Sequence, residues 1–309
     1  MSSYETEPLS RRRFLFAAGA LGAGALTLPR VSRFAAPSTE YLPLRGAGPV
    51  QQIRQAAASD PVGIQHLRGN ITVLTGSGGN VAVLPGEDGT LLVDSGIVGP
   101  KIAAAVTSFT PVPVRHLINS HWHFDHTDAN AWHRRNGAAI LAHENTRKRL
   151  LVDTRVEDWN FTFPQSPAEA IPGTVFSDQR TVHLNGTRID LKKFAPAHTD
   201  ADISIHFTDA DVLHVADTWW NGMYPFIDYS TLGSIDGMIS ALGVTRAAAS
   251  ATTVIIPGHG DVGDRVALGK YQDMLMAIRD RVASLKKKGL SVAEVVAAKP
   301  TAPFDAEYG

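Results

Sequence analysis

From residue 71 onward, short apolar runs alternate with glycine-rich turns. Residues 71–75, 81–84 and 90–93 (Ile-Thr-Val-Leu-Thr, Val-Ala-Val-Leu and Thr-Leu-Leu-Val) have strand length and β-branched content, and 76–80 and 85–89 separate them as turns. This predicts a hairpin meander. Residues 99–109 read as a helix, and the next apolar run is a strand ending at Asn119. Asp128 to Arg135 reads as a helix with Asp128 as its N-cap and Gly137 as its stop. A strand at 138–142 and a helix at 144–152 follow. Residues 153–180 carry Trp159, Phe161, Phe163 and Phe176 among Pro164, Pro167 and Pro172 without a clean period. A segment this long and aromatic reads as a functional lid rather than a disordered loop. Strand-like runs recur at 180–184, 187–194, 203–207, 212–215 and 253–256. Helices are expected at 234–249, at 264–288 stopped by Gly289, and at 292–298 behind a Ser291/Glu294 capping box. Strands alternating with helices define an α/β chain.

Composition narrows the chemistry. The 309 residues contain no cysteine, which removes disulfides, thiolate ligands and cysteine nucleophiles. A net charge of −1 gives no general attraction to nucleic acid or to an anionic membrane. Oligomeric state leaves no mark in the sequence. Lys286-Lys287-Lys288 reads as a solvated helix end.

The N-terminus reads as an export signal. Ser10-Arg11-Arg12-Arg13-Phe14-Leu15 precedes an Ala/Gly/Leu run to Leu28, too short and glycine-rich for a stable span but suited to a signal. Paired arginines between serine and Phe-Leu resemble the bacterial twin-arginine signal, which implies a periplasmic or secreted address. Residues 1–37 are expected to be signal, 38–60 linker, and 61–309 one catalytic domain.

The densest chemistry is His121-Trp122-His123-Phe124-Asp125-His126, which follows an apolar strand and places three imidazoles and a carboxylate in six residues. Imidazole and carboxylate are the ligands that zinc takes when no thiolate is present. Downstream, His198, Asp217 and His259 each stand at the end of a predicted strand, where sites of α/β proteins gather. No Gly-x-Ser-x-Gly elbow supports a serine hydrolase. The glycine run 76–79 lacks the register of a phosphate cradle and reads as a hairpin turn.

His121-x-His123-x-Asp125-His126, then His198, Asp217 and His259, together with Asp94-Ser95-Gly96 after the third strand, resemble the metallo-β-lactamase fold superfamily over about residues 62–300. The resemblance implies a four-layer αβ/βα sandwich with a metal site at one edge of its two sheets. It implies that His121, His123 and His198 hold one zinc, that Asp125, His126 and His259 hold a second, and that Asp217 bridges them. Two such ions share and activate a water for hydrolysis. Asp125 would also orient that nucleophile or take its proton, and Asp94 would support the ligands through hydrogen bonds.

The β-lactamases of this superfamily have cysteine or no ligand at the position of Asp217. A bridging aspartate is instead typical of its lactonases, thioesterases and phosphodiesterases. The resemblance therefore implies a dizinc hydrolase of a small ester, lactone, thioester or amide. A β-lactamase-type amide hydrolase and a mononuclear iron, persulfide-dioxygenase-like oxidoreductase are the rivals. Trp122, Phe124, Trp159, Trp219, Trp220, Asn221 and Tyr224 are candidates for the substrate pocket, with Asn221 or Tyr224 as oxyanion donor. The other histidines (His66, His116, His133, His143, His183, His206 and His214) read mostly as structural or exposed.

Overall fold

The computed structural model describes residues 48–309, so the signal expected at 1–37 lies outside the described residues. Helix α1 (Pro49–Ser59) leads into β1 (Gly63–His66), β2 (Thr72–Thr75), β3 (Val81–Leu84) and β4 (Thr90–Val93). These four strands pair antiparallel, which is the predicted meander with one further edge strand. After α2 (Gly99–Thr107) come β5 (Val114–Asn119), α3 (Phe124–Thr127), α4 (Asn130–Arg135), β6 (Ala139–His143) and α5 (Glu144–Leu150). A small hairpin of β7 (Thr154–Val156) and β8 (Phe161–Phe163) precedes β9 (Thr174–Phe176). Strands β4, β5, β6 and β9 run parallel, and the sheet order is β1-β2-β3-β4-β5-β6-β9.

The second half builds β10 (Gln179–Leu184), β11 (Thr187–Lys193), β12 (Ile203–Phe207), β13 (Val212–Trp220), α6 (Ile235–Ala248), β14 (Val254–His259) and β15 (Gly263–Asp264). These strands form a second sheet in chain order. Helices α7 (Arg265–Lys287), α8 (Val292–Ala297) and α9 (Asp305–Tyr308) close the described chain. Among the described residues no helix is long and apolar enough to cross a membrane.

Strand residues alternate between two buried faces, which stacks the layers. Val73, Ala82, Leu91, Val93 and Ile118 meet Ile189, Leu191, Ile203, Ile205 and Ile256 between the sheets. Their neighbours Leu74, Val83, Leu92 and Leu117 pack outward on Ile102 and Val106 of α2. On the far side, Leu213, Val215 and Ile255 pack outward on Met238 and Leu242 of α6 and on Leu268, Tyr271 and Leu275 of α7. The result is the α/β four-layer αβ/βα sandwich. At roughly 25 cal/mol per Å2 of buried apolar surface, these three interfaces supply the main stabilisation.

Three expectations are corrected. The stretch 38–60 is not wholly a linker: α1 buries Val50, Ile53 and Ala57, and its first two apolar residues pack with Trp122 and Phe124 beside the His-rich run. Lys101 Nζ binds the carbonyls of Ala57, Ala58 and Asp60, so a cation covers the C-terminal end of the helix. Asp128 is not an N-cap. The His-rich run itself forms the turn α3, so the chain is already helical at Asp128, whose N–H donates to Phe124 O at 2.8 Å. Its carboxylate instead takes Arg54 Nε and Nη2 at 2.7 and 3.0 Å. Residues 153–180 are built as a hairpin, a 3-10 turn (Ala168–Ala170) and strand β9, with Val156, Phe163, Ala170 and Phe176 buried.

Candidate metal centre

The site lies where the two sheets end together. Strand β5 delivers Asn119-Ser120 and then the run 121–126, while β13 and β14 deliver Asp217 and His259 from the other sheet. Asp217 leaves its ladder because β13 bulges. Ala216 pairs with Pro257 and Trp220 with His259, leaving residues 217–219 opposite one residue of β14. Ala216 adopts φ 45°, unusual for a residue with a Cβ, and this bend aims Asp217 into the site.

Seven side chains converge in two groups: His121, His123, His198 and Asp217, and next to them Asp125, His126 and His259. Within each group the potential ligand atoms lie within 4.8 Å of one another. All are nearly or fully buried. Asp217 spans the two, with Oδ1 3.0 Å from His126 Nε2 and Oδ2 3.4 Å from His198 Nε2 and 3.3 Å from His259 Nε2. Asp125 Oδ2 lies 3.2 Å from His259 Nε2.

Hydrogen bonds at the backs of the rings decide which nitrogens point inward. Asp94 Oδ2 accepts from His126 Nδ1 at 2.8 Å and from Ser120 Oγ at 2.7 Å, and Asp94 Oδ1 accepts from Ser120 N at 2.7 Å. Having given its proton to Asp94, Ser120 Oγ accepts from His121 Nδ1 at 3.0 Å. Asp228 Oδ2 accepts from His123 Nε2 at 3.0 Å, and Phe226 O accepts from His198 Nδ1 at 2.8 Å. In the neutral rings the opposite nitrogens then carry lone pairs: Nε2 of His121, His126 and His198, and Nδ1 of His123. His198 Nε2 and His123 Nδ1 face each other at 2.8 Å with no proton to share. His121 Nε2 is buried without a hydrogen-bond partner among the described residues. Lone pairs aimed at one another fit a shared cation and little else, so these residues suit a divalent metal.

Without a cation the buried charges perturb one another in both directions. Burial pushes His121 well below the ordinary imidazole value, and the neighbouring His126 adds to this. Burial pushes the Asp217 carboxyl upward, but His259, His126, His198 and His121 outweigh it and hold the group well below the usual carboxylate range. His259 is lifted to about 9: burial opposes the shift, and Asp217 and Asp125 overcome it.

The glycine run 76–79 does more than turn the hairpin. Gly79 N donates to Asp125 O at 3.1 Å, and a Cβ on Gly79 would enter the His126 ring. Only glycine lets this backbone lie against the ligand.

The candidate pocket residues divide. Trp159 is half-buried, lies 5.1 Å from the His123 ring and stacks on Phe226 at 4.4 Å and 21°. Trp220 faces His259 at 4.2 Å. Trp122 and Phe124 are buried behind the ligands against Phe163. Trp219 is fully buried in the core under α6 and α7, and Trp220 borders the same core. Neither proposed oxyanion donor reaches inward. Tyr224 Oη donates to Asp305 Oδ1 at 2.7 Å and Thr301 O at 3.1 Å, and Asn221 Nδ2 donates to Asp261 O at 2.7 Å.

Asp228, Ser120 and Phe226 escaped sequence reasoning. Asp228 is the carboxylate among Ile227, Tyr229 and the preceding aromatics, fully buried where it also accepts from Ser230 N, Thr231 N and Thr231 Oγ1. A lone acid in so apolar a stretch is the signal that would have found it. Phe226 acts through its carbonyl, which no side-chain pattern reports. Of the other histidines, His143 caps α5 through Asn145 N, and His116 donates to Asp88 O, as structural residues do.

Residues 74–275 match the metallo-beta-lactamase superfamily, so the chain belongs to that superfamily. No curated protein matches the chain significantly. Among solved structures, a metallo-beta-lactamase from Pontibacter korlensis is 14% identical with a TM-score of 0.57, over 70% of this chain and 99% of that one. The DIM-1 metallo-beta-lactamase is 16% identical with a TM-score of 0.56, over 70% and 97%. A double mutant of the sec-alkyl sulfatase PisA1 is 15% identical with a TM-score of 0.59, over 96% of this chain and 58% of that one. At such identities the likeness is one of fold.

Proposed function

We propose that the chain is a dinuclear zinc hydrolase of a small-molecule ester, lactone, thioester or amide. The observation that carries this reading is the position of Asp217 between two groups of inward-facing nitrogens, 3.0 Å from His126 and 3.4 Å from His198. His121, His123 and His198 would hold one ion, Asp125, His126 and His259 the other, and Asp217 both. When bound, such a pair supplies an activated water and polarises the scissile carbonyl. The donor set is nitrogen and oxygen throughout, which suits zinc in a chain without thiolates.

The chain's own residues do the rest. Burial pushes the Asp125 carboxyl upward, but His126 and His259 outweigh it and hold the group below its usual value. It is therefore an acceptor able to orient a nucleophile or take a proton. Trp159, Phe226 and Trp220 give the acyl or alkyl part of a substrate an apolar face beside the ligands, and Trp122 and Phe124 close the site from behind. Tyr224 and Asn221 donate to Asp305, Thr301 and Asp261 instead of into the site, so the bound metal would have to supply the oxyanion stabilisation. The twin-arginine run supports export of the folded protein, which fractionation of cells producing the full chain tests.

The function is tested by a panel of lactone, thioester, β-lactam, phosphodiester and sulfate-ester substrates on zinc-loaded protein. The sulfate ester is there because a sulfatase is among the structural neighbours. Turnover of a carboxylic ester, lactone, thioester or amide, abolished in Asp125→Ala with the fold retained, is the expected result. One bound iron and no hydrolysis of any member would overturn it.

A further inference from the structure

Asn80 ends the glycine turn and is nearly fully buried, yet it belongs to neither ligand group. Its backbone N–H donates to Gly258 O at 2.7 Å. Its side-chain Nδ2 donates to Pro257 O at 3.0 Å and to Gly260 O at 2.9 Å. Both partners are carbonyls, so the amide orientation is unambiguous. The three acceptors stand on either side of His259. The carbonyl of Asn80 accepts from His214 Nε2 at 3.2 Å, and His214 Nδ1 in turn accepts from Ala216 N at 3.3 Å. Ala216 is the residue whose φ of 45° aims Asp217.

One side chain from the first sheet thus grips both ligand-bearing bends of the second. It holds 257–260 directly and 216–217 through His214. The two bends also touch: a Cβ on Gly258 would strike Asp217 Oδ1. The ligands His121, His123 and His198 are held separately, by Ser120, Asp228 and Phe226 O.

The geometry points to Asn80 as a positioning residue that, with His214, sets Asp217 against His259 and so governs the second metal position, which takes both of these ligands, more than the first, which takes Asp217 alone of the two. This rests on the two-metal reading above. An aspartate at position 80 keeps the shape but cannot donate to the two carbonyls, and a serine can donate one bond at most.

The test is titration of metal-free wild type, Asn80→Asp, Asn80→Ser and His214→Gln with Co2+, reading d–d absorption for each site and circular dichroism for the fold. Wild type is expected to bind two ions. Asn80→Asp is expected to bind the second ion at least tenfold more weakly and to lose clearly less affinity for the first, with Asn80→Ser between wild type and Asn80→Asp. His214→Gln, which leaves the Asn80 side chain in place, should show the same direction and carries the test if Asn80→Asp does not fold. Two ions at wild-type affinity in the folded variants, or equal weakening of both, would overturn the role of Asn80 alone. Fewer than two ions in wild type would overturn the two-metal reading and this inference with it.

Discussion

Asp228 Oδ2 accepts from His123 Nε2 at 3.0 Å, and this single bond turns the imidazole so that Nδ1, not Nε2, faces the site. The neighbouring His121 and His126 are turned the other way by Ser120 and Asp94. Asp228 is itself held by Ser230 N, Thr231 N and Thr231 Oγ1, so the ring is anchored through a capped 3-10 turn, Tyr229–Thr231. Asp228→Asn is predicted to keep the fold and weaken binding of the first metal by roughly 10–100-fold, the usual cost of losing a ligand's supporting carboxylate. Competition with a zinc chelator measures it; wild-type affinity would refute the role.

Removing metal should destabilise the chain. Without a cation, His123 Nδ1 and His198 Nε2 face each other at 2.8 Å. A bound ion adds RT ln(1 + [L]/Kd), about 4 kcal/mol at a thousandfold excess over Kd. Melting with and without a chelator should show Tm rising with zinc concentration. A Tm indifferent to zinc would count against metal at this site.

Gly79→Ala is predicted to displace the His126 ring. The added methyl group costs about 1–3 kcal/mol as overpacking and should lower the second metal's occupancy more than the first. Denaturant unfolding and metal content together check it.

Two aromatic substitutions separate the wall from the scaffold. Trp159→Ala removes the half-buried partner of Phe226 and should raise KM about tenfold, equivalent to ~1.4 kcal/mol of lost apolar contact, with kcat little changed. Tyr224→Phe should leave both constants at wild-type values, because its hydroxyl is bound to Thr301 and Asp305. A fall in kcat for Tyr224→Phe would restore it as an oxyanion donor.

These residues also show where sequence reading succeeds and stops. His121, His123, Asp125 and His126 were legible because a strand and a tight turn bring near neighbours in sequence together. His198, Asp217 and His259 were legible because polar residues follow apolar runs there, although only His259 ends its strand: Asp217 sits at the bulge within β13, and His198 in the loop between β11 and β12. The strands were legible as short apolar runs such as 81–84, buried on both faces, but their stacking into a sandwich was implied only by the family resemblance. Helix α1 was not legible as packed structure, because its mostly polar surface hides the few contacts of Val50 and Ile53. Trp219 and Trp220 look alike in sequence and both border the core under α6 and α7, yet Trp220 also lies against the His259 ring. Asp228 and Asn80 act on ligands 105 and 134 or more residues distant in the chain, respectively on His123 and through His214, and no local pattern records such pairings.

The central claim is a two-ion hydrolytic centre bridged by Asp217. Its most direct test is turnover of the best substrate by metal-free protein titrated with zinc. Activity should rise to a break at two equivalents per chain. A break at one equivalent, or activity that never returns with zinc, would contradict it.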